Sequence, residues 1–407
     1  MIRKMFEGLY RHTEKKPYSI LVGARQTGKS TLIRQLRTKL QKEGRDTFFL
    51  DLEQKDVRME LNADPLNLLR YFSKKDSKKY VFIDEIQYLD DPSNFLKLIY
   101  DEFAETIKII ATGSSAFYID KKFNDSLAGR KRVFYLDTCS FEEYLEMKEE
   151  NELLSEYRRL LQDREAKSAK LSGMEAALED YIIYGGYPAV VCENDRAEKI
   201  LLLKELRDAY LQRDIAEAGV QNQDAFYRLY TLLAAQTGSQ VNVSELSATL
   251  RISKETVENY LYILQKCFHI ALLKPFYRNI KKELVKMPKA YIMDTGMRNC
   301  LINYFPEKLG VGDDGALFED FIYHSLRESY SRDEIRFWRT ADQKEVDFVI
   351  DSPDEKAAYE VKYNTAGIKP GKYKMFKESY PDYKLRFISK EPFSEERIRE
   401  MAAFRKE

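Results

Sequence analysis

Gly23-Ala24-Arg25-Gln26-Thr27-Gly28-Lys29-Ser30, with Thr31 next, is the stretch on which the fold turns. It fits G-x-x-x-x-G-K-[ST], and its flanks suit that pattern. Tyr18-Ser19-Ile20-Leu21-Val22 ahead of it reads as a buried strand, and Thr31-Leu32-Ile33-Arg34-Gln35-Leu36 behind it as a helix. A strand, a glycine loop and a helix start together make an anion site. Backbone N–H groups of the loop point at phosphates, and the helix N-terminus adds partial positive charge. Residues 23–31 are therefore expected to cradle a nucleotide, with Lys29 reaching the β- and γ-phosphates and the Ser30 hydroxyl ligating Mg²⁺.

The second half of such a site is legible downstream. Lys79-Tyr80-Val81-Phe82-Ile83-Asp84-Glu85 is a β-rich apolar run ending in two acids. A strand buried in a parallel sheet delivers carboxylates at its C-terminal edge, where ligands of open α/β sheets bind. Asp84 is expected to hold Mg²⁺ through water, and Glu85 to polarise an attacking water, which suggests hydrolysis rather than binding alone. Further strands are expected at Thr47–Leu52, Ile107–Thr112 and Arg132–Leu136, with helical stretches at Leu66–Phe72 and Asn94–Phe103 between them. An extra strand between the phosphate loop and the acidic strand fits the ATPase type with a catalytic glutamate. The fourth strand ends Thr112-Gly113-Ser114-Ser115. Ser114 is the first choice to touch the γ-phosphate or the water, with Thr112 second. Arg130, in Ser126-Leu127-Ala128-Gly129-Arg130, reads either as an arginine finger, in cis or from a neighbouring subunit, or as a solvated loop residue.

The chain has 407 residues, too many for one ordinary domain. Sixty-seven Lys and Arg balance 67 Asp and Glu, so any surface for nucleic acid must be a local patch. No run approaches the roughly 20 apolar residues that cross a bilayer. The first six residues lack the apolar core of a signal peptide. Cys139, Cys192, Cys267 and Cys300 are scattered and read as reduced thiols of a cytoplasmic protein.

Residues 141–218 are helical and charge-rich, broken sharply at Gly185-Gly186-Tyr187-Pro188. Residues 225–290 read as a winged helix-turn-helix. Ser244 is expected to cap a short helix, Arg251-Ile252 to turn, and Ser253 to cap a second helix over Lys254–Cys267. A wing hairpin would follow through His269–Leu273, Phe276–Lys282 and Ala290–Asp294. The second helix carries Glu255 and Glu258 beside Lys254 and Asn259, a weak surface for DNA phosphates.

Near the C-terminus, Glu345–Ile350 alternates as a strand, Asp351-Ser352-Pro353-Asp354 is a turn, and Ala357–Tyr363 is a second strand. The hairpin brings Asp347 beside Glu360 and Lys362. Two carboxylates can hold a metal and the lysine can position a water for phosphodiester attack, with Glu319 from an upstream helix completing the metal site. An ordinary hairpin with an exposed salt bridge is the alternative.

Together these motifs resemble the prokaryotic AAA-type ATPases related to archaeal and STAND-like ATPases. The resemblance rests on Gly23–Ser30, Tyr80–Gln87, Thr112–Ser115, Leu127–Arg130 and Phe141–Tyr144. Gly185–Pro188 resembles that clade's Gly-Gly-x-Pro signature, which implies a nucleotide-sensing contact, and Tyr210–Ile215 resembles another stretch of the family. Tyr291–Gly296 and Glu345–Lys362 resemble its C-terminal domain of unknown function, which implies a PD-(D/E)xK nuclease-like fold. The expected architecture is α/β. A P-loop parallel sheet occupies 1–145, a helical region 146–222, a winged helix 223–298 and an α/β nuclease-like domain 299–407. ATP and Mg²⁺ are the implied cofactors. Three readings stay open: an ATPase that rearranges the rest of the chain, an ATP-regulated DNA endonuclease, and a nucleotide-dependent switch that binds a protein partner through a nuclease-like domain that no longer cuts. Arg130 acting in trans would require an oligomer.

Overall fold

Along each central strand of the first half, alternate side chains enter different cores. Ile20, Val22, Val81, Ile83, Ile109 and Ala111 pack on one face with Phe95, Leu96 and Ile99. Leu21, Tyr80, Phe82 and Ile110 pack on the other with Phe6, Leu9, Leu32, Ile33 and Leu36. A strand covered on both faces is apolar at most positions, which is why these runs show little polar alternation. Each such side chain, fully buried, contributes roughly 1.5–3 kcal/mol.

The computed structural model describes residues 3–72, 77–114, 127–277, 287–310, 314–340, 342–402 and 404. They divide into two compact units, one of residues 1–138 with 266–268, the other of 139–265 and 269–407.

The first unit holds α1 (Met5–His12), β1 (Tyr18–Val22), α2 (Lys29–Lys42), β2 (Asp46–Asp51), α3 (Lys55–Ala63), β3 (Lys79–Asp84), α4 (Pro92–Phe103), β4 (Ile107–Gly113) and β5 (Lys131–Tyr135). The sheet is parallel throughout, in the order β2-β3-β4-β1-β5. Every strand read from the sequence is present, within a residue or two of its expected ends. Two readings gain detail. Leu66–Phe72 is a 3₁₀ segment, Pro65–Tyr71, started by Asp64, whose carboxylate accepts from Leu66 N–H. The strand that separates β1 from β3 in space is β4, while β2 lies at the sheet edge. A right-handed crossover can skip a position, so chain order does not reveal which strand is inserted.

In the second unit, the charge-rich stretch after residue 141 forms two helices, Phe141–Met147 and Asn151–Gln162. The first begins with a capping box between Ser140 and Glu143. This gives the Phe141–Tyr144 motif a structural use. Helices Leu171–Tyr184 and Pro188–Cys192 flank the Gly185–Pro188 turn. Gly186 N–H donates to Asp294 Oδ2 at 2.8 Å, and a Cβ on Gly186 would lie 2.2 Å from the Cys139 carbonyl oxygen. The double glycine and the Met293-Asp294-Thr295 segment thus meet, although about a hundred residues of chain separate them.

Helices Val243–Leu250 and Lys254–Lys266 follow, joined by Arg251 in the left-handed region (φ 57°). The first is capped by Asn242, not by Ser244 as expected, while Ser253 does accept from Thr256 N–H. β6 (Ile270–Leu273) and β7 (Lys289–Ile292) pair antiparallel. Phe276, expected in a wing, instead bonds through its N–H to the Phe337 carbonyl and packs against Tyr380 and Tyr383. Lys281 and Lys282 lie outside the described residues. The last sheet has the order β11-β10-β9-β8, from β8 (Ile335–Arg339), β9 (Glu345–Asp351), β10 (Lys356–Asn364) and β11 (Lys384–Glu391). β8, β9 and β10 are antiparallel neighbours, and β11 runs parallel to β10. Helix Asp314–Arg327 precedes this sheet and helix Lys374–Ser379 sits between its last two strands in sequence.

Behind the first sheet, His12 Nδ1 shares a hydrogen bond with Ser19 Oγ at 2.7 Å, and Lys108 donates to the Lys15 and Pro17 carbonyls. Burial, then the charges of Lys108, Arg132 and Lys15, lower the His12 pKa to about 4. Its unfolded value is about 6.5, so the neutral ring favours folding above that pH, and the contribution fades as pH falls from 6.5 toward 4. The first unit is expected to lose on the order of 2 kcal/mol between pH 7 and pH 5 through this residue. Denaturant titrations at the two pH values, beside His12→Gln, check it: the variant should show a correspondingly flatter dependence.

Candidate functional site

The phosphate loop leaves the C-terminal end of β1 and closes into α2. Gly23 is required by close approach, because a Cβ there would stand 2.1 Å from the Leu136 carbonyl oxygen. Lys29 is only 4% exposed, and its ammonium donates to the Gly23 and Ala24 carbonyls at 3.0 and 2.7 Å. Thr27 Oγ1 donates to the Ala24 carbonyl at 2.9 Å, which tightens the same turn. Arg3 supports the loop from outside its own sequence. Its guanidinium donates to the carbonyls of Thr27 (2.7 Å), Asp137 (2.9 Å) and Thr138 (3.1 Å).

A chain of polar contacts runs from this loop across three strand ends. Ser30 Oγ donates to Asp84 Oδ1 at 3.0 Å. Thr112 Oγ1 donates to the same carboxylate oxygen and accepts from Glu85 N–H at 2.9 Å. Gln87 Nε2 donates to Glu85 Oε2 and to Ser114 Oγ, the latter at 2.8 Å. Glu85 itself sits at φ 56°, ψ 53°, a left-handed conformation that is uncommon for a residue with a side chain. The fold thus brings Lys29, Ser30, Asp84, Glu85, Thr112 and Ser114 to one sheet edge. A hydroxyl and a carboxylate 3.0 Å apart are hard oxygen donors of the kind Mg²⁺ takes alongside nucleotide phosphates.

Arg130 does not join this group. Its carbonyl accepts from Tyr18 N–H, beside the N-terminal end of β1, and its guanidinium is paired with Asp101 at 2.7 Å. At roughly 3.3 Å per residue, the length of β1 separates it from the loop by about 15 Å. A finger role in cis is therefore corrected: the strand preceding the loop carries Arg130 to the opposite edge. Ser115 and Ser126 lie outside the described residues.

The second candidate site forms in the other unit. Asp347 Oδ2 accepts from Val361 N–H at 2.8 Å and lies 3.6 Å from the Lys362 ammonium, which pairs with Glu360 at 2.5 Å. The expected sharing of one face by Glu360 and Lys362 holds. Glu319 is present too, but through an unexpected residue. Lys289 stands 3.1 Å from Glu319 Oε1, 2.5 Å from Glu345 Oε1 and 3.8 Å from Asp347 Oδ1. Tyr291 OH donates to Glu319 Oε1 at 2.7 Å, and Arg339 pairs with Glu345 at 2.7 Å.

Burial raises the pKa of Glu319 against the opposing pull of Lys289; burial, then Asp347, raises that of Glu360. Burial alone would lower Lys289, but Glu319, Asp347 and Glu345 together hold it well above its usual value. Lys362 is likewise raised, against burial, by Asp347 and Glu360. Among the described residues, no group of three or more His, Cys, Asp or Glu side chains is arranged to hold a metal ion. Of the expected metal residues, Glu319 and Asp347 stand beside Lys289, and Asp347 and Glu360 beside Lys362.

Sequence reading missed Arg3, Gln87, Lys289, Glu345 and Tyr291. No local pattern marks Arg3. Lys289 and Tyr291 alternate at period two on β7, so both face Glu319, a signal that becomes visible once β7 is recognised.

A parallel sheet of this order, with a phosphate loop after its first strand and acids at the end of its third, is the arrangement of P-loop nucleotide-binding domains. Residues 15–145 match the family model described as an AAA domain. Residues 175–315 and 314–393 match two domains of unknown function, DUF8612 and DUF4143. An uncharacterized protein of Haemophilus influenzae is 27% identical over 361 residues, covering 85% of this chain and 83% of that protein. One from Methanocaldococcus jannaschii is 26% identical over 339 residues, covering 81% and 71%. Among solved structures, the Thermotoga maritima RuvB Holliday junction branch migration motor aligns with a TM-score of 0.32 at 15% identity, covering 65% of this chain and 85% of that one. AMPPCP-bound DnaA from Aquifex aeolicus aligns with a TM-score of 0.31 at 12% identity, covering 64% and 86%. Residues 15–145 are therefore similar to AAA domains, and the sheet order and phosphate loop of the first unit are those of a P-loop fold suited to nucleotide binding.

Arg3→Ala leaves the Thr27, Asp137 and Thr138 carbonyls without their buried donor. The expected cost is about 1–3 kcal/mol of stability in the first unit, together with weaker nucleotide binding. Urea unfolding and a fluorescent-nucleotide titration on the same variant measure both.

Proposed function

We propose that the protein is a Mg²⁺-dependent ATP hydrolase whose nucleotide state controls its winged-helix and nuclease-like regions. The observation that carries this is the continuous polar chain from Ser30 through Asp84 and Thr112 to Glu85, Gln87 and Ser114, set against a complete phosphate loop. Residues 23–31 would wrap the phosphates, and the Lys29 ammonium would exchange the Gly23 and Ala24 carbonyls for β- and γ-phosphate oxygens. Ser30 and Asp84 would hold Mg²⁺, which when bound neutralises charge developing between those phosphates. Glu85 would orient and polarise the attacking water, with its carboxylate steered by Gln87. Ser114, joined to the same amide, would sense the γ-phosphate.

The domain assignment proposed with this reading is 1–145 for the ATPase, 146–222 for the helical region, 223–298 for the winged helix and 299–407 for the nuclease-like domain. The succession of helix, three antiparallel strands, helix and a parallel fourth strand supports the last. The second reading, a nucleotide-dependent switch that binds a protein partner, is favoured by a specific observation. Glu255 and Glu258 lie exposed on the helix that would read DNA, and phosphates repel such a surface. Exposed Lys369, Lys372 and Lys374 form a local basic patch for backbone contact if DNA is the ligand.

Glu85→Gln is expected to cut phosphate release from ATP by roughly 10²–10⁴-fold while leaving ATP affinity close to that of the wild type. Lys29→Ala is expected to lose nucleotide binding itself. Phosphate release and nucleotide titration on both variants decide the matter, and loss of binding in Glu85→Gln would remove that residue from the catalytic role.

A further inference from the structure

Lys289 opens β7, and its backbone is fixed on two sides. It pairs with Leu273 across the hairpin and forms a bridge with Gln240. Its side chain is 2% exposed. The ammonium therefore has one destination, the space bounded by Glu319 of helix Asp314–Arg327 and by Glu345 and Asp347 of β9.

Each of those carboxylates also takes a further contact from the protein. Glu319 Oε1 accepts a second bond from Tyr291, Glu345 Oε2 takes Arg339, and Asp347 Oδ2 takes the Val361 N–H with Lys362 nearby. Oxygens that would have to converge on a divalent ion already converge on a covalently tethered monovalent one. A metal sharing them would stand within a few ångströms of a buried ammonium, and like charges that close repel strongly in a low-dielectric interior. Withdrawing the lysine instead would uncover several buried carboxylates and leave the ammonium without partners.

The donor set thus does not fit the metal that a nuclease-like fold implies. We propose that Lys289 is the resident cation of this cluster, standing where a divalent metal would, so that the C-terminal region keeps its carboxylates assembled without Mg²⁺ or Mn²⁺. In the protein as it is, Lys289 and not a divalent ion holds Glu319, Glu345 and Asp347 together, and metal-assisted phosphodiester cleavage through them is not available. The lysine serves as an ionic tie between the β6–β7 hairpin, the Glu319 helix and the last sheet. The region then acts by binding. This inference does not depend on the ATPase reading, which concerns other residues.

The test is Mn²⁺ titration of the nucleotide-free full chain, followed by electron paramagnetic resonance, on the wild type, Asp347→Asn, Lys289→Met and Lys289→Met/Asp347→Asn. The expected result is no Asp347-dependent Mn²⁺ binding in the wild type, and a new bound ion in Lys289→Met that the added Asp347→Asn removes. Comparison with Asp347→Asn separates this site from any ion near Asp84. Mn²⁺ bound by the wild type and lost in Asp347→Asn would overturn the proposal. So would a folded Lys289→Met that gains no ion, since the carboxylates would then not be a cation site at all. Should Lys289→Met fail to fold, the wild type and Asp347→Asn decide alone: Asp347-dependent Mn²⁺ binding refutes the proposal and its absence supports it.

Discussion

The hydrogen bond from Ser30 to Asp84 joins two segments whose only common ground is the C-terminal edge of a buried parallel sheet. The three central strands beneath that edge, β1, β3 and β4, are buried at every position, so chemistry gathers at their ends. The order β2-β3-β4-β1-β5 then decides which ends are adjacent. β4 lies between the loop strand and the acidic strand, and its Thr112 reaches Asp84 on one side and the Glu85 backbone on the other. Thr112 thus ties the end of β4 to the acidic segment, while the loop reaches that segment directly through Ser30.

The second unit solves a different problem with the same materials. Buried carboxylates are costly unless paired, and here the pairing is internal. Lys289, Lys362 and Arg339 meet Glu319, Glu345, Asp347 and Glu360 within one network. Strands β7, β8, β9 and β10 carry all of these groups but Glu319, so strand register sets the pairing. Among the described residues the buried Glu360 Oε2 has no hydrogen-bond partner, and burial is the main cause of the raised pKa of that carboxyl. A similar economy holds at Asp294. It caps its own helix through Met297 N–H and also accepts from Gly186 N–H, so one side chain serves two distant motifs.

What could be read without coordinates follows from locality. The loop, its strand and its helix are contiguous, and a run of apolar β-formers ending in Asp84 and Glu85 has few other uses, so the P-loop unit and its principal residues were legible. The hairpin pairing Asp347 with Glu360 and Lys362 was legible for the same reason, because a turn and period-two alternation determine its register. The sequence by itself therefore determined the kind of sheet, the phosphate loop and which carboxylates stand at strand ends. Only the tertiary structure decided that β4 is the inserted strand, that Arg3 props the loop, that Arg130 belongs to the far edge with Asp101, and that Lys289 fills the carboxylate cluster. The reason is physical: local pattern governs which way a side chain points along its own element, whereas the partner it meets depends on packing between segments far apart in the chain.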